Sequence, residues 1–100
     1  MSYTFVNKSA VKDDIIHATE FYRNINPALA KQFLFRIREA KAYIARSPVG
    51  FQVKYKDVRT LLLKQFPYHI HYLIDNPRRQ IVILAIIHAY KNSEDFSKRD

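Results

Sequence analysis

The sequence predicts an α+β fold: an N-terminal strand, an antiparallel helical hairpin, then a three-stranded antiparallel meander, joined in one sheet. Three observations carry this. Apolar residues recur at spacings of three and four as far as Ile44. From Phe51 onward the period shortens to two. The run Gln80–His88 is apolar throughout Ile81–Ile87 and stops at a histidine, the pattern of a strand buried on both faces at the centre of a sheet. The 100 residues fit one domain, 1–100.

Tyr3-Thr4-Phe5-Val6 alternates and reads as the first strand. Ser9 stands at an N-cap position, with Asp13 and Asp14 in the first turn, where the helix dipole favours negative charge. Val11, Ile15, Ala18, Tyr22 and Ile25 then form one apolar face. Asn26 caps a second helix with Pro27 at its first position. Its stripe is Ala30, Phe33, Ile37, Ala40 and Ile44, while Lys31, Arg38 and Lys41 occupy other faces. The short link between the helices makes them an antiparallel pair, and Ser47-Pro48-Val49-Gly50 ends the second.

Val53 and Tyr55 alternate with Gln52, Lys54 and Lys56, as a short strand or an extended loop. Arg59–Gln65 reads as a strand centred on Leu61-Leu62-Leu63, and Phe66-Pro67 turns the corner. Tyr68, Ile70, Tyr72 and Ile74 share one face of the next strand; His69, His71 and Leu73 share the other. Asp75–Arg79 is a hairpin turn leading into Gln80–His88. Ser93–Arg99 reads as a terminal helical turn capped by Ser93. One sheet face packs on the helices; the other face and the tip of the last strand are expected to stay free for a partner.

Seventeen Lys and Arg against nine Asp and Glu leave a net charge of +8, which favours a polyanionic partner, nucleic acid or acidic protein. Gly50 is the single glycine, so there is no phosphate-cradling loop. Cysteine is absent, which excludes disulfides and thiolate metal sites. No cofactor and no metal are expected. The N-terminus lacks a signal-peptide core and no apolar run is long enough to span a bilayer, so the expectation is a cytoplasmic protein without membrane contact.

Four histidines offer chemistry. His17 lies on a charged helix face and is expected in solvent. His69 and His71 point to the same side of one strand. They read either as adaptable polar residues on a half-exposed face or as a proton-shuttling surface. His88 reads either as a strand-end histidine bonded to backbone or as a group delivered to a partner at the sheet rim. No histidine pair has zinc-site spacing. Arg59, Lys64, Arg78, Arg79 and Lys91 read as a basic rim interleaved with Tyr68, Tyr72 and Tyr90. That mixture suits single-stranded nucleic acid or a protein interface, although Tyr68 and Tyr72 fit equally well as core aromatics.

The pattern Arg59-x-Leu61-Leu62-Leu63-x-x-Phe66-Pro67-Tyr68-x-Ile70-x-Tyr72, followed by an apolar strand ending in His88, resembles the RelE/ParE superfamily of type II toxins. The Phe-Pro-Tyr corner resembles its plasmid-stabilisation, ParE branch in particular. Family members often continue with His-x-x-Arg-x-Pro, then Trp and Arg; here those places hold His88, Lys91, Ser93, Phe96 and Arg99. The resemblance implies a small toxin neutralised by a cognate acidic antitoxin. In the ParE branch it implies inhibition of DNA gyrase, with His88, Lys91 and Arg99 as target-binding residues. In the RelE branch it implies cleavage of mRNA on the ribosome. The catalytic places of that branch fall near Thr60, Leu62, His69, Tyr90 and Phe96, and only His69 and Tyr90 keep useful polar chemistry. A slip of a residue or two brings Arg59 or Lys91 into play, so the nuclease candidates are Arg59, His69, His88, Tyr90 and Lys91. The depleted basic set favours the ParE branch and a non-enzymatic inhibitor.

Overall fold

A computed structural model describes residues 3–90 and 95–100. In chain order it contains β1 (Thr4–Asn7), α1 (Ala10–Ile25), α2 (Pro27–Arg46), a 3-10 turn at Pro48–Gly50, β2 (Val53–Tyr55), β3 (Val58–Leu62), β4 (Tyr68–Asp75), β5 (Gln80–His88) and a 3-10 turn at Phe96–Lys98. No helix among the described residues is long and apolar enough to cross a membrane.

The two helix starts differ. Asn26 caps α2 as the sequence predicts: its backbone is extended and its Oδ1 accepts the Ala28 amide at 2.9 Å, with Pro27 just behind. Ser9 makes no side-chain cap. Its backbone is already helical (φ −59°, ψ −34°), whereas a capping side chain needs an extended backbone to reach the amides ahead of it. The Ser9 hydroxyl donates instead to the Asp100 carbonyl at 3.2 Å.

All five stripe residues of α2 are buried. In α1, Val11 and Ala18 are buried and Ile15 and Tyr22 pack at the margin. Ile25, expected on the apolar face, is the last helical residue at the hairpin tip and is 61 % exposed.

The sheet has five strands in the order β1-β5-β4-β3-β2. β5 is central as expected, parallel to β1 and antiparallel to β4. The segment left open as strand or loop is β2, paired antiparallel to β3. β3 ends at Leu62, three residues short of the expected Gln65. Gln65 has a positive φ of 75°, and a strand ladder cannot run through that conformation.

Two apolar layers result. Between helices and sheet, Phe33, Ile37 and Ile44 meet Ile70, Tyr72, Ile81, Ile83 and Ile86. At one end of this layer Tyr22, Phe33, Phe66 and Tyr68 pack as an aromatic cluster, with centroids 4.8 to 6.2 Å apart. The far face, expected to be free, carries a second cluster of Val58, Leu84, Ala85 and Phe96, flanked by Tyr55, Leu73, Val82 and Ile87. The C-terminal turn lays Phe96 on that face and buries it. Asp95 caps this turn, accepting the Ser97 amide at 3.0 Å, and pairs with Lys56 at 2.5 Å. Ser93, the expected cap, lies outside the described residues.

Candidate functional site

The aim of His88 depends on an irregularity in β5. Tyr72 pairs with Ile83 while His71 pairs with Ala85, so Leu84 is an extra residue. Leu84 and Ala85 both join the far-face cluster, while Ile83 and Ile86 face the helices. This is a β-bulge, and it inverts the alternation of everything after it. Strict alternation from Ile81 puts His88 on the far face; the bulge returns it to the helix side, beside Tyr68 at 5.3 Å.

The bulge interrupts backbone bonding, and two side chains supply the missing partners. β1 accompanies β5 only as far as Ile83, where the Lys8 amide donates to the Ile83 carbonyl at 2.9 Å. Beyond that point the Ile86 amide donates to Asp14 Oδ2 at 3.0 Å, and Arg99 Nη1 donates to the Leu84 carbonyl at 3.1 Å. Arg99 also grips Asp14 with both guanidinium nitrogens, at 2.7 and 3.2 Å. One ion pair thus ties α1, the central strand and the C-terminal turn together. Arg99, expected to bind a target, has its guanidinium committed to Asp14 and Leu84.

Past the bulge, α1 and the end of β5 enclose an open groove of about 530 Å³. Ala18, Tyr68 and Ile86 give it an apolar lining, Phe21 contributes an exposed ring, and Asp13, His17, His88 and the Asp14–Arg99 pair supply polar groups. His88 is half-buried, and its Nδ1 accepts the Tyr90 amide at 3.3 Å. The His88 ring therefore satisfies the backbone-bonded reading while Nε2 remains a polar atom at the groove. Tyr90 is 84 % exposed, with its ring 5.1 Å from that of His88.

Arg59, His69 and His71 do not join this site. Arg59 sits on the helix side, where Nη1 donates to the carbonyls of Phe51 at 2.6 Å and Val49 at 3.2 Å. It clamps the link from α2 to β2. Beside it the Tyr72 hydroxyl donates to the Pro48 carbonyl at 2.5 Å, and burial pushes that phenol up to about 12. His69 faces the opposite side of the sheet, paired with Ile87. His71, expected on a half-exposed face, is buried against Phe96, with Nδ1 3.1 Å from the Tyr55 hydroxyl. Desolvation, followed by the charges of His69 and Arg99, lowers it to about 4, so it is neutral near pH 7. Burial, with Lys54 nearby, lowers His69 as well. Lys91 lies outside the described residues.

The basic rim is likewise dispersed. Arg59 is committed to backbone, Arg78 pairs with Asp75 at 3.8 Å, and Arg79 lies over the Tyr3 ring at 4.4 Å. Tyr72 is fully buried. Among the described residues no three His, Asp or Glu side chains gather as a cation site. His17 is exposed as expected, yet it lines the groove with His88. Asp14 was legible only as a dipole partner, because nothing local in the sequence marks the bulge that it satisfies.

No family model matches the sequence, and no curated protein matches it significantly. Solved structures do match. A chain of the chromosomal ParDE TA system from P. aeruginosa aligns with TM-score 0.73 and 20 % identity, over 86 % of this chain and 95 % of that one. A chain of the RelBE2 toxin–antitoxin complex from Mycobacterium tuberculosis aligns with TM-score 0.57 and 16 % identity, over 88 % and 99 %. The helical hairpin packed on a meander whose central strand is flanked by the first is thus the RelE/ParE fold, shared with chains of two toxin–antitoxin complexes.

Proposed function

We propose that this chain is the toxin of a type II toxin–antitoxin system, of the ParE kind, that inhibits DNA gyrase by binding it and is neutralised in the cytoplasm by a cognate acidic antitoxin. The observation that supports the non-enzymatic part is the separation, among the described residues, of Arg59 and His69 from His88. Arg59 is spent on two backbone carbonyls, and His69 and His88 stand on opposite faces of the sheet. A proton acceptor and a phosphoryl-stabilising cation must meet within hydrogen-bond reach of one substrate. The higher TM-score to the ParDE chain supports the branch, and the net charge of +8 supports an acidic antitoxin. In this reading His88 and Lys91 contact the target, while Arg99 holds the strand that presents His88.

The test is a supercoiling assay with purified gyrase. The chain should inhibit supercoiling, and His88→Ala should weaken inhibition about tenfold or more with an unchanged melting temperature. Absence of inhibition at saturating protein would reject the gyrase reading. The alternative, a ribosome-dependent mRNA endoribonuclease, draws support from the adjacency of His88 and exposed Tyr90 and from the match to the RelBE2 chain.

A further inference from the structure

Charge is unevenly divided between the helices. α2 carries Lys31, Arg36, Arg38, Lys41 and Arg46 against Glu39 alone, whereas α1 carries three acids and two bases. Lys31, Phe35 and Arg46 fall within about 60° of one another around α2, spread over roughly 22 Å of its length. Phe35 is 54 % exposed beside these cations. Next to it Lys31, Gln32, Phe35, Arg36 and Gln65 line a shallow, open depression.

The wall of this depression is organised. Arg36 Nε donates to Gln65 Oε1 at 3.2 Å, the Gln65 amide bonds Gln32, and the Arg36 guanidinium lies 5.6 Å from the Phe35 centroid. Gln65 reaches this position in a left-handed backbone conformation that a non-glycine residue adopts at a cost. One step along the stripe, the Arg46 guanidinium lies 5.2 Å from the Tyr43 centroid and Lys64 Nζ donates to the Tyr43 hydroxyl at 3.3 Å. Neither makes a salt bridge among the described residues. Two cations that meet one tyrosine with no carboxylate partner leave their charge for an anion to pair with.

We infer that the stripe formed by α2 and the β3–β4 corner binds single-stranded nucleic acid, with a base stacked on Phe35 and backbone phosphates on Lys31, Arg46 and Lys64. The alternation of cations with an exposed ring is what such a strand requires. A nucleic acid strand supplies a flat base beside every phosphate, whereas an acidic protein needs a separate aromatic side chain to cover Phe35. The inference does not depend on gyrase being the target.

The test is fluorescence anisotropy of the purified chain with a labelled single-stranded oligonucleotide over a range of salt. Arg46→Glu with Lys64→Glu should weaken binding at least about thirtyfold and make the salt slope shallower by about 1.4, two phosphate contacts at about 0.7 each. Lys12→Glu with Arg23→Glu on α1 makes the same change in net charge and should cost less than about threefold, because the contact and not the total charge is proposed. Phe35→Ala should cost about tenfold on the single strand and little on a matched duplex. Arg46→Gln with Lys64→Gln repeats the test with milder changes should the charge reversal unfold the chain. Equal losses in the two double variants, or no effect of Phe35→Ala, would overturn the inference. So would polyglutamate that binds as tightly and is lost in the same variants, since that assigns the stripe to an acidic protein.

Discussion

Replacing Asp14 with alanine removes the acceptor on which the bulge of β5 depends. The Asp14 side chain is 8 % exposed and accepts from the Ile86 amide and from two nitrogens of Arg99. The variant strands a backbone amide, at a cost of about 1–3 kcal/mol. It also orphans a guanidinium. Breaking a fully buried pair costs about 3–5 kcal/mol, but the Arg99 side chain is 23 % exposed, so water recovers part of that. The expected loss is about 3 kcal/mol, or a fall of roughly 15 °C in melting temperature for a domain of this size. Urea and thermal unfolding followed by circular dichroism measure it. Asp14→Asn keeps an acceptor and should cost about half as much. The double variant with Arg99→Ala should be milder than the sum of the singles by about 1–3 kcal/mol, because the two residues act as one unit. A loss under about 0.5 kcal/mol for Asp14→Ala, or strict additivity, would refute the staple.

Other expectations follow from single contacts. His71 is neutral in the fold at a value of about 4, against 6.5 for the free side chain, so the unfolded chain binds the extra proton. Its contribution is complete above pH 6.5 and is lost as pH falls toward 4, by about 3 kcal/mol in total; His71→Leu should flatten urea-midpoint profiles in that window. Asn26→Ala should cost about 1 kcal/mol, whereas Ser9→Ala should cost under about 0.5, since only Asn26 caps through its side chain; chemical denaturation compares them. Tyr72→Phe removes the bond to Pro48 and should cost about 1 kcal/mol in the same experiment, with near-normal secondary structure.

The fold was largely legible because its signals are local. The α2 stripe, the Asn26-Pro27 cap and the apolar run of β5 each follow from spacing within a few residues, and each occupies its expected place. The site was less legible because it depends on relations over long sequence distances. The bulge adds one residue to β5 and reverses the facing of His88, and no composition change at Leu84-Ala85 announces it. Asp14 and Arg99 meet across 85 positions, so Asp14 read only as a helix-dipole partner and Arg99 only as a target-binding residue. The basic rim failed for the same reason. Arg59 and Arg79 have partners set by tertiary packing, while Lys64, another residue of the expected rim, meets Arg46 of α2 at the Tyr43 side chain. The C-terminal turn buries His71 under Phe96, and alternation alone could assign a face but not a cover.

Among the described residues Arg59 and His69 stand apart from His88, and the proposal resting on that separation is a chain that binds its target without cutting RNA. Primer extension on ribosome-bound message, with purified chain added, tests this most directly. Full-length extension products are expected with and without the chain. New cleavage products that appear with the chain and vanish with His88→Ala would contradict it.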